Sequence, residues 1–143
     1  MYIQQISVFM ENSPGKLAAF TRLLGEESID LISLSIADTT NFGILRCIVD
    51  DYERTVDIIA KAGYTVRLTE VLGAVVPDRP GGLAEVLSIL SEEGISIEYL
   101  YSFVRHAGKN ALLVFRVEEL ERAAAVLTAH GVTLISQEQV RTL

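Results

Sequence analysis

A loop-and-helix phrase occurs twice in this chain, 66 positions apart, and a chain that repeats itself at that distance is built to fold twice in one way. The first copy is Ser13-Pro14-Gly15-Lys16-Leu17-Ala18, running on to Leu23-Leu24. The second is Arg79-Pro80-Gly81-Gly82-Leu83-Ala84, running on to Ile89-Leu90. Aligning Pro14 with Pro80 also pairs Glu26-Glu27 with Glu92-Glu93, Ile29 with Ile95 and Leu34 with Leu100. A small insertion then shifts the offset to 68, and the match resumes: Leu45 with Leu113, Val49 with Val117, Glu53-Arg54 with Glu121-Arg122, Gly63 with Gly131. Such a period is too long for a solenoid unit, and two copies are too few for one. The pattern predicts two small domains of one fold, residues 1–71 and 72–143, joined almost without a linker.

Each half is marginal as an independent folding unit, because so short a chain buries too small a share of its surface. The two are therefore expected to share a core or a sheet. Half of the residues are apolar, which is enough for a packed interior and argues against disorder. No apolar run approaches the roughly 18–20 residues that span a bilayer. The start, Met1-Tyr2-Ile3-Gln4-Gln5, lacks the pattern of a signal peptide, so a soluble cytoplasmic protein is expected, with no membrane partner. The net charge of −7 is carried by both halves without a basic stripe, which excludes phosphate-backbone binding and hence a nucleic-acid partner. Cys47 sits alone in the apolar run Ile44-Leu45-Arg46-Cys47-Ile48-Val49 and reads as a buried structural thiol. No metal-ligand cluster and no cofactor motif is visible.

Within each repeat the element order is βαββαβ. Ile6, Val8 and Met10 alternate with Ser7 and Phe9, the period-two signature of a strand. Ser13 is placed as a helix N-cap, with Pro14 at the first helical position. Leu17, Phe20, Leu23 and Leu24 follow at helical spacing. Ile29 to Asp38 and Phe42 to Val49 read as two strands around Thr40-Asn41. A second helix opens at Asp50-Asp51 and stops at Gly63, and Thr65 to Val71 is a fourth strand. The second half repeats this: strand Leu72 to Val76, helix Pro80 to Glu93, a hairpin of Ile95 to Arg105 with Asn110 to Val117 around Ala107-Gly108, helix Glu118 to His130, strand Val132 to Gln137. The fold class is α+β: two ferredoxin-like βαββαβ units with helices on one face of the sheets. Leu34, Ile36 and Leu100 are expected to face the helices, which puts Tyr99, Tyr101 and Phe103, with Leu112 and Val114, on the other face. So apolar a helix-free face predicts a covering sheet, most simply from a homodimer.

The Pro-Gly turns are where the chemistry concentrates. A strand ends, the backbone turns, and a helix begins with unpaired N–H groups that attract a carboxylate. Gly15 and Gly81 lack a Cβ, so a ligand can approach the backbone. Asn12 and Asp78 stand at equivalent places before the turn, and Lys16 in one copy is Gly82 in the other. The two turns are thus chemically unequal. An ordinary strand-to-helix connection would also use Pro-Gly.

The phrase Ile6-Ser7-Val8-Phe9-Met10-Glu11-Asn12-Ser13-Pro14-Gly15-Lys16-Leu17, followed by Ile29-Asp30-Leu31 and a hairpin, resembles an ACT domain. It is similar in particular to the regulatory small subunits of acetolactate synthase, which carry a comparable turn. Val75-Val76-Pro77-Asp78-Arg79-Pro80-Gly81-Gly82-Leu83 resembles the same family less closely, since Pro77-Asp78-Arg79 replaces the Asn-containing turn. The resemblance covers nearly the whole chain and implies a tandem ACT protein. It implies a non-catalytic regulatory function: a small amino-acid effector bound at the interface between paired ACT domains. The implied ligand-binding residues are Asn12, Ser13, Pro14, Gly15, Lys16 and Leu17 in the first loop, and Asp78, Arg79, Pro80, Gly81, Gly82 and Leu83 in the second. Ser35, Ile36, Tyr101 and Ser102 are the implied strand residues. A homodimer is the implied assembly, and a biosynthetic enzyme such as acetolactate synthase is the alternative partner, the chain then being its regulatory subunit.

Two other classes fit poorly. Only His106 and His130 could act as near-neutral bases, and neither has a nucleophile or paired carboxylate beside it in sequence, so no enzyme is expected. RNA-recognition modules share the βαββαβ order but need aromatic and basic residues on their third strand, where this chain has Phe42-Gly43-Ile44-Leu45-Arg46-Cys47 and Asn110-Ala111-Leu112-Leu113-Val114-Phe115.

Overall fold

The computed structural model describes residues 2–11, 13–38, 42–103 and 110–143. The expectations for Asn12, for the Thr40-Asn41 turn and for 104–109, His106 included, lie outside the described residues. The chain divides into two compact units: Gln4–Thr69, and Glu70–Leu143 together with the chain start through Ile3.

The first unit contains β1 (Ile3–Glu11, less its first residue), α1 (Lys16–Glu26), β2 (Leu31–Asp38), β3 (Phe42–Val49), α2 (Tyr52–Lys61) and the first part of β4 (Thr65–Pro77). Its sheet runs β2-β3-β1 with antiparallel pairing: Val8 lies opposite Leu45, which lies opposite Ile36. Ile6, Val8 and Met10 pack with Leu45, Cys47 and Val49 against Phe20 and Leu24 of α1 and Ile59 of α2. The predicted alternation therefore places the core on one sheet face, as period two requires.

The second unit contains the rest of β4, α3 (Gly82–Glu92), β5 (Ile97–Ser102), β6 (Asn110–Val117), α4 (Leu120–Ala129), β7 (Leu134–Ile135) and α5 (Gln137–Val140). Its strands run β5-β6-β4-β7, also antiparallel. Leu72, Ala74 and Val76 pack with Leu113, Phe115 and Val117 against Val86, Leu90, Ala123 and Leu127. Each unit is thus an α+β sandwich with two helices on one sheet face.

One device recurs at the far end of both units. The Arg54 guanidinium donates to the Glu27 carbonyl at 2.7 Å, and Arg122 donates to the Glu93 carbonyl at the equivalent place. Each arginine from the second helix satisfies a carbonyl at the C-terminus of the first, where orphan acceptors and the negative dipole end coincide. Gly63 (φ 93) and Gly131 (φ 80) end the second helices in the left-handed region.

Several boundaries differ from the sequence reading. Thr65–Val71 and Leu72–Val76 are one continuous strand, β4, which runs through Gly73 to Pro77. The last strand is only Leu134–Ile135, and the chain closes with α5, capped by a reciprocal Ser136–Gln139 box. Ile36 is 47% exposed instead of buried against helices. Phe103, Leu112 and Val114, expected to need a second copy as cover, are already buried within the single chain. That face therefore gives no argument for a homodimer. Cys47 is fully buried, and desolvation pushes its thiol up to about 12, as expected of a structural cysteine.

Candidate functional site: the Pro-Gly turns and their neighbouring cavities

Ser13 is not an N-cap and Pro14 is not the first helical residue. The Lys16 N–H donates to the Ser13 carbonyl at 3.3 Å, and Gly15 sits at φ 86, ψ −14. Those are the marks of a type II turn with proline second and glycine third. The second copy is superposable in kind: Gly82 N–H donates to the Arg79 carbonyl at 2.9 Å, with Gly81 at φ 86, ψ −10. Both glycines are the true N-caps, and helix bonding begins with Ala19 N–H to Gly15 and Glu85 N–H to Gly81. The N–H groups of Leu17, Ala18, Leu83 and Ala84 have no acceptor among the described residues. The turn thus delivers in each unit the free donors that the sequence suggested, through a different local geometry.

The turns are unequal in packing and charge. A Cβ on Gly82 would stand 2.0 Å from the Pro77 carbonyl oxygen, so the second turn is folded tightly onto the end of β4. Lys16 occupies that place in the first copy, and its longer side chain requires a looser approach to Glu11. One guanidinium nitrogen of Arg79 donates to both Glu85 carboxylate oxygens, at 2.8 and 3.0 Å. Ser13 and Ala19 stand at the equivalent positions and cannot form such a pair. α3 therefore carries an acid in its first turn, and α1 carries none.

Ser13, Pro14, Gly15 and Lys16 are exposed, as are Asp78, Arg79, Pro80 and Gly81. Leu17 and Leu83 are 37% and 36% exposed, large apolar side chains held in solvent beside the turns. The expected strand residues stand elsewhere. Ser35 and Ile36 lie on β2, level with Ser7 and Val8, whereas the turn follows Glu11. Tyr101 and Ser102 lie on β5, level with Gly73 and Ala74, whereas the turn follows Pro77. One strand intervenes in each case, so turn and strand sets are separated by about 10 Å both across and along the sheet. One unit alone does not bring them into a single pocket. Tyr101 instead stacks on Tyr99 at 6.5 Å between centroids.

What lies beside each turn is a cavity at the seam between the turn and the loop after the second helix. In the first unit it measures about 340 Å³ and is lined by Phe9, Met10, Glu11, Lys16 and 62–65. In the second it measures about 310 Å³ and reaches deeper along the helix, to Glu85, Val86 and Ile89. The difference comes from two side chains. Phe20 and Tyr64 make an edge-to-face pair at 5.4 Å in the first unit, and Val86 and Val132 replace them in the second. This cavity was not foreseen, although the repeat alignment carried the signal in those two substitutions. Among the described residues no group of His, Cys, Asp or Glu is arranged to hold a metal, and no helix is long and apolar enough to cross a membrane.

Two ferredoxin-like units with glycine-capped turns define a tandem α+β architecture, and the comparisons with known proteins agree. The family model for an ACT domain pair matches residues 1–143, and the chain belongs to that family. The chain is similar over its full length to protein BT0572 from Bacteroides thetaiotaomicron, with 36% identity, 98% of that chain covered and a TM-score of 0.93. It shares its fold with the regulatory subunit of aspartate kinase from Thermus thermophilus, at 16% identity and TM-score 0.64, covering 90% of this chain and 93% of that one. The corresponding subunit from Thermus flavus gives 17% identity and TM-score 0.60, with 90% of both chains covered. No curated protein sequence matches the chain.

Proposed function

We propose that the chain is a non-catalytic regulatory protein that binds a small amino-acid effector at its Pro-Gly turns. The observation that carries this reading is the pair of type II turns, each presenting two unbonded helix N–H groups beside an exposed leucine. Such a corner offers donors to a carboxylate and an apolar contact to a side chain. Asn12, Ser13, Lys16 and Leu17 would line the first site, and Asp78, Arg79 and Leu83 the second. Ser35, Ile36, Tyr101 and Ser102 would join from a second copy in a homodimer, since they stand away from the turns of their own units.

Purified protein is screened by thermal shift against the proteinogenic amino acids. Ligand at about 100 times its dissociation constant adds roughly 2.7 kcal/mol to the folded state, which raises the midpoint of a chain this size by several degrees. No shift with any of them would sink the reading in its free-standing form.

A second reading is a dedicated regulatory subunit of an amino-acid biosynthetic enzyme. It is favoured by two-repeat chains of matching length, named as regulatory subunits of aspartate kinase, that share the fold. The resemblance of the first repeat to acetolactate synthase small subunits points to the same class of partner. Co-purification of an intact enzyme with the tagged chain, and a changed response of that enzyme to its end product, would separate the two readings.

A further inference from the structure

The second helix of each unit shows solvent a different surface. On α2, Asp57 and Lys61 form an ion pair at 2.9 Å with both side chains well in solvent, as a solvated helix face ordinarily does. The equivalent positions on α4 are Ala125 and Ala129, both exposed. With Ala124, Thr128, Leu134 and Tyr2 they line an open groove of about 480 Å³. All of these residues belong to the second unit, to which the chain start contributes Tyr2. Side chains this small let another helix approach the backbone closely.

The groove is charged at one end. Glu121 lines it and has no cation partner among the described residues. Arg122, the one base within α4, is committed to Glu119 at 2.9 Å and to the Glu93 carbonyl. Desolvation, and then the charges of Glu121 and Glu70, raises the Tyr2 phenol above its ordinary value, so two carboxylates act on that end. An apolar floor with an acidic end selects a partner with an apolar stripe and a basic end.

We propose that this groove docks a basic amphipathic helix of a partner protein. Small apolar residues of that helix, spaced three and four apart, sit over Ala125 and Ala129, and a lysine or arginine meets Glu121. A second copy packing α4 on α4 brings no free base to Glu121. The surface is separate from the Pro-Gly turns, and the proposal stands whether or not an effector binds there.

The test uses two designed helical peptides of about 15 residues with the same alanine–leucine face, one carrying lysines on its other side and one carrying glutamates. Each is titrated into the full chain at low salt, with backbone amide NMR as the readout. The lysine peptide is expected to bind more tightly than about 1 mM, to shift the amides of α4 and of Tyr2, and to weaken as salt is added. The glutamate peptide is expected not to bind. Ala125→Asp/Ala129→Lys installs the ion pair of the first unit at exposed positions. It should leave the melting midpoint unchanged and weaken the lysine peptide at least about tenfold. Glu121→Gln should weaken it about two- to fivefold. No binding of the lysine peptide, equal binding of both peptides, or binding indifferent to the double variant overturns the proposal. So does a dimer in sedimentation that the double variant dissociates, since the groove then belongs to a second copy.

Discussion

The two units are copies in order and register, yet they differ at one seam and one turn, and each difference has a stated cause. The first unit packs the Phe20–Tyr64 pair beside a seam cavity of about 340 Å³ and carries Lys16 in its turn. The second lines a seam cavity of about 310 Å³ with Val86 and Val132 and holds its turn with Gly82 against the Pro77 carbonyl and Arg79 on Glu85. The two units thus share a cavity beside the turn and differ in what stands at it: an aromatic pair and a lysine in one, two valines and an arginine–glutamate pair in the other. A repeat is an internal control: what both copies keep belongs to the fold, and what they exchange is free to serve binding.

The comparison can be broken most forcefully at Phe20. Phe20→Ala should cost about 3–5 kcal/mol, whereas Val86→Ala, which only enlarges existing space, should cost less. Urea unfolding of both variants measures this, and equal losses would contradict the tighter ring packing at Phe20. Next in size is the exchange at the turns. Gly82→Ala should cost roughly 1–3 kcal/mol, because the added carbon meets a backbone oxygen that cannot swing aside. Lys16→Ala, at the equivalent place, should change stability by less than about 0.5 kcal/mol. Replacing Gly15 or Gly81 by Ala should cost each unit alike, about 1–2 kcal/mol, for holding an L-residue in the left-handed region.

Charge effects are smaller. Arg79→Ala should change stability by no more than about 1 kcal/mol, since both partners are more than half exposed, and the effect should vanish in high salt. A pH series checks the core of the first unit. The Cys47 thiol is neutral when protonated, and its folded value of about 12 lies above the reference of 9.0. Above pH 9 the unfolded chain therefore releases a proton that the folded chain keeps. Stability falls from there toward pH 12, by up to about 1.4 kcal/mol per pH unit. Cys47→Ala should flatten that slope, and thiol alkylation of the folded protein near pH 8 should be slow.

Much of the fold was legible because its signals are local. The period-two run around Val8, the helical spacing of Leu17 to Leu24, and glycines 63 and 131 each announce an element in a few residues. The repeat then supplied the topology, and the resemblance of the first turn supplied the family. The site was legible only in outline. The turn's existence could be read from Pro-Gly, but its type could not, because a proline fits both the second place of a type II turn and the first turn of a helix. Which of the two holds is decided by the hydrogen bond from Lys16 to Ser13.

What the sequence alone determined is the number of units, their element order and the turn each would present, since these follow from periodicity and from residues with special backbone preferences. Only the tertiary structure decided that Leu112 and Val114 are covered without a partner, that Ser35 and Ile36 stand a strand away from the turn, and that a cavity lies beside each turn. Those are matters of volume and distance between residues far apart in the chain. A one-dimensional pattern states which side chains are apolar, and it carries no measure of the space between them.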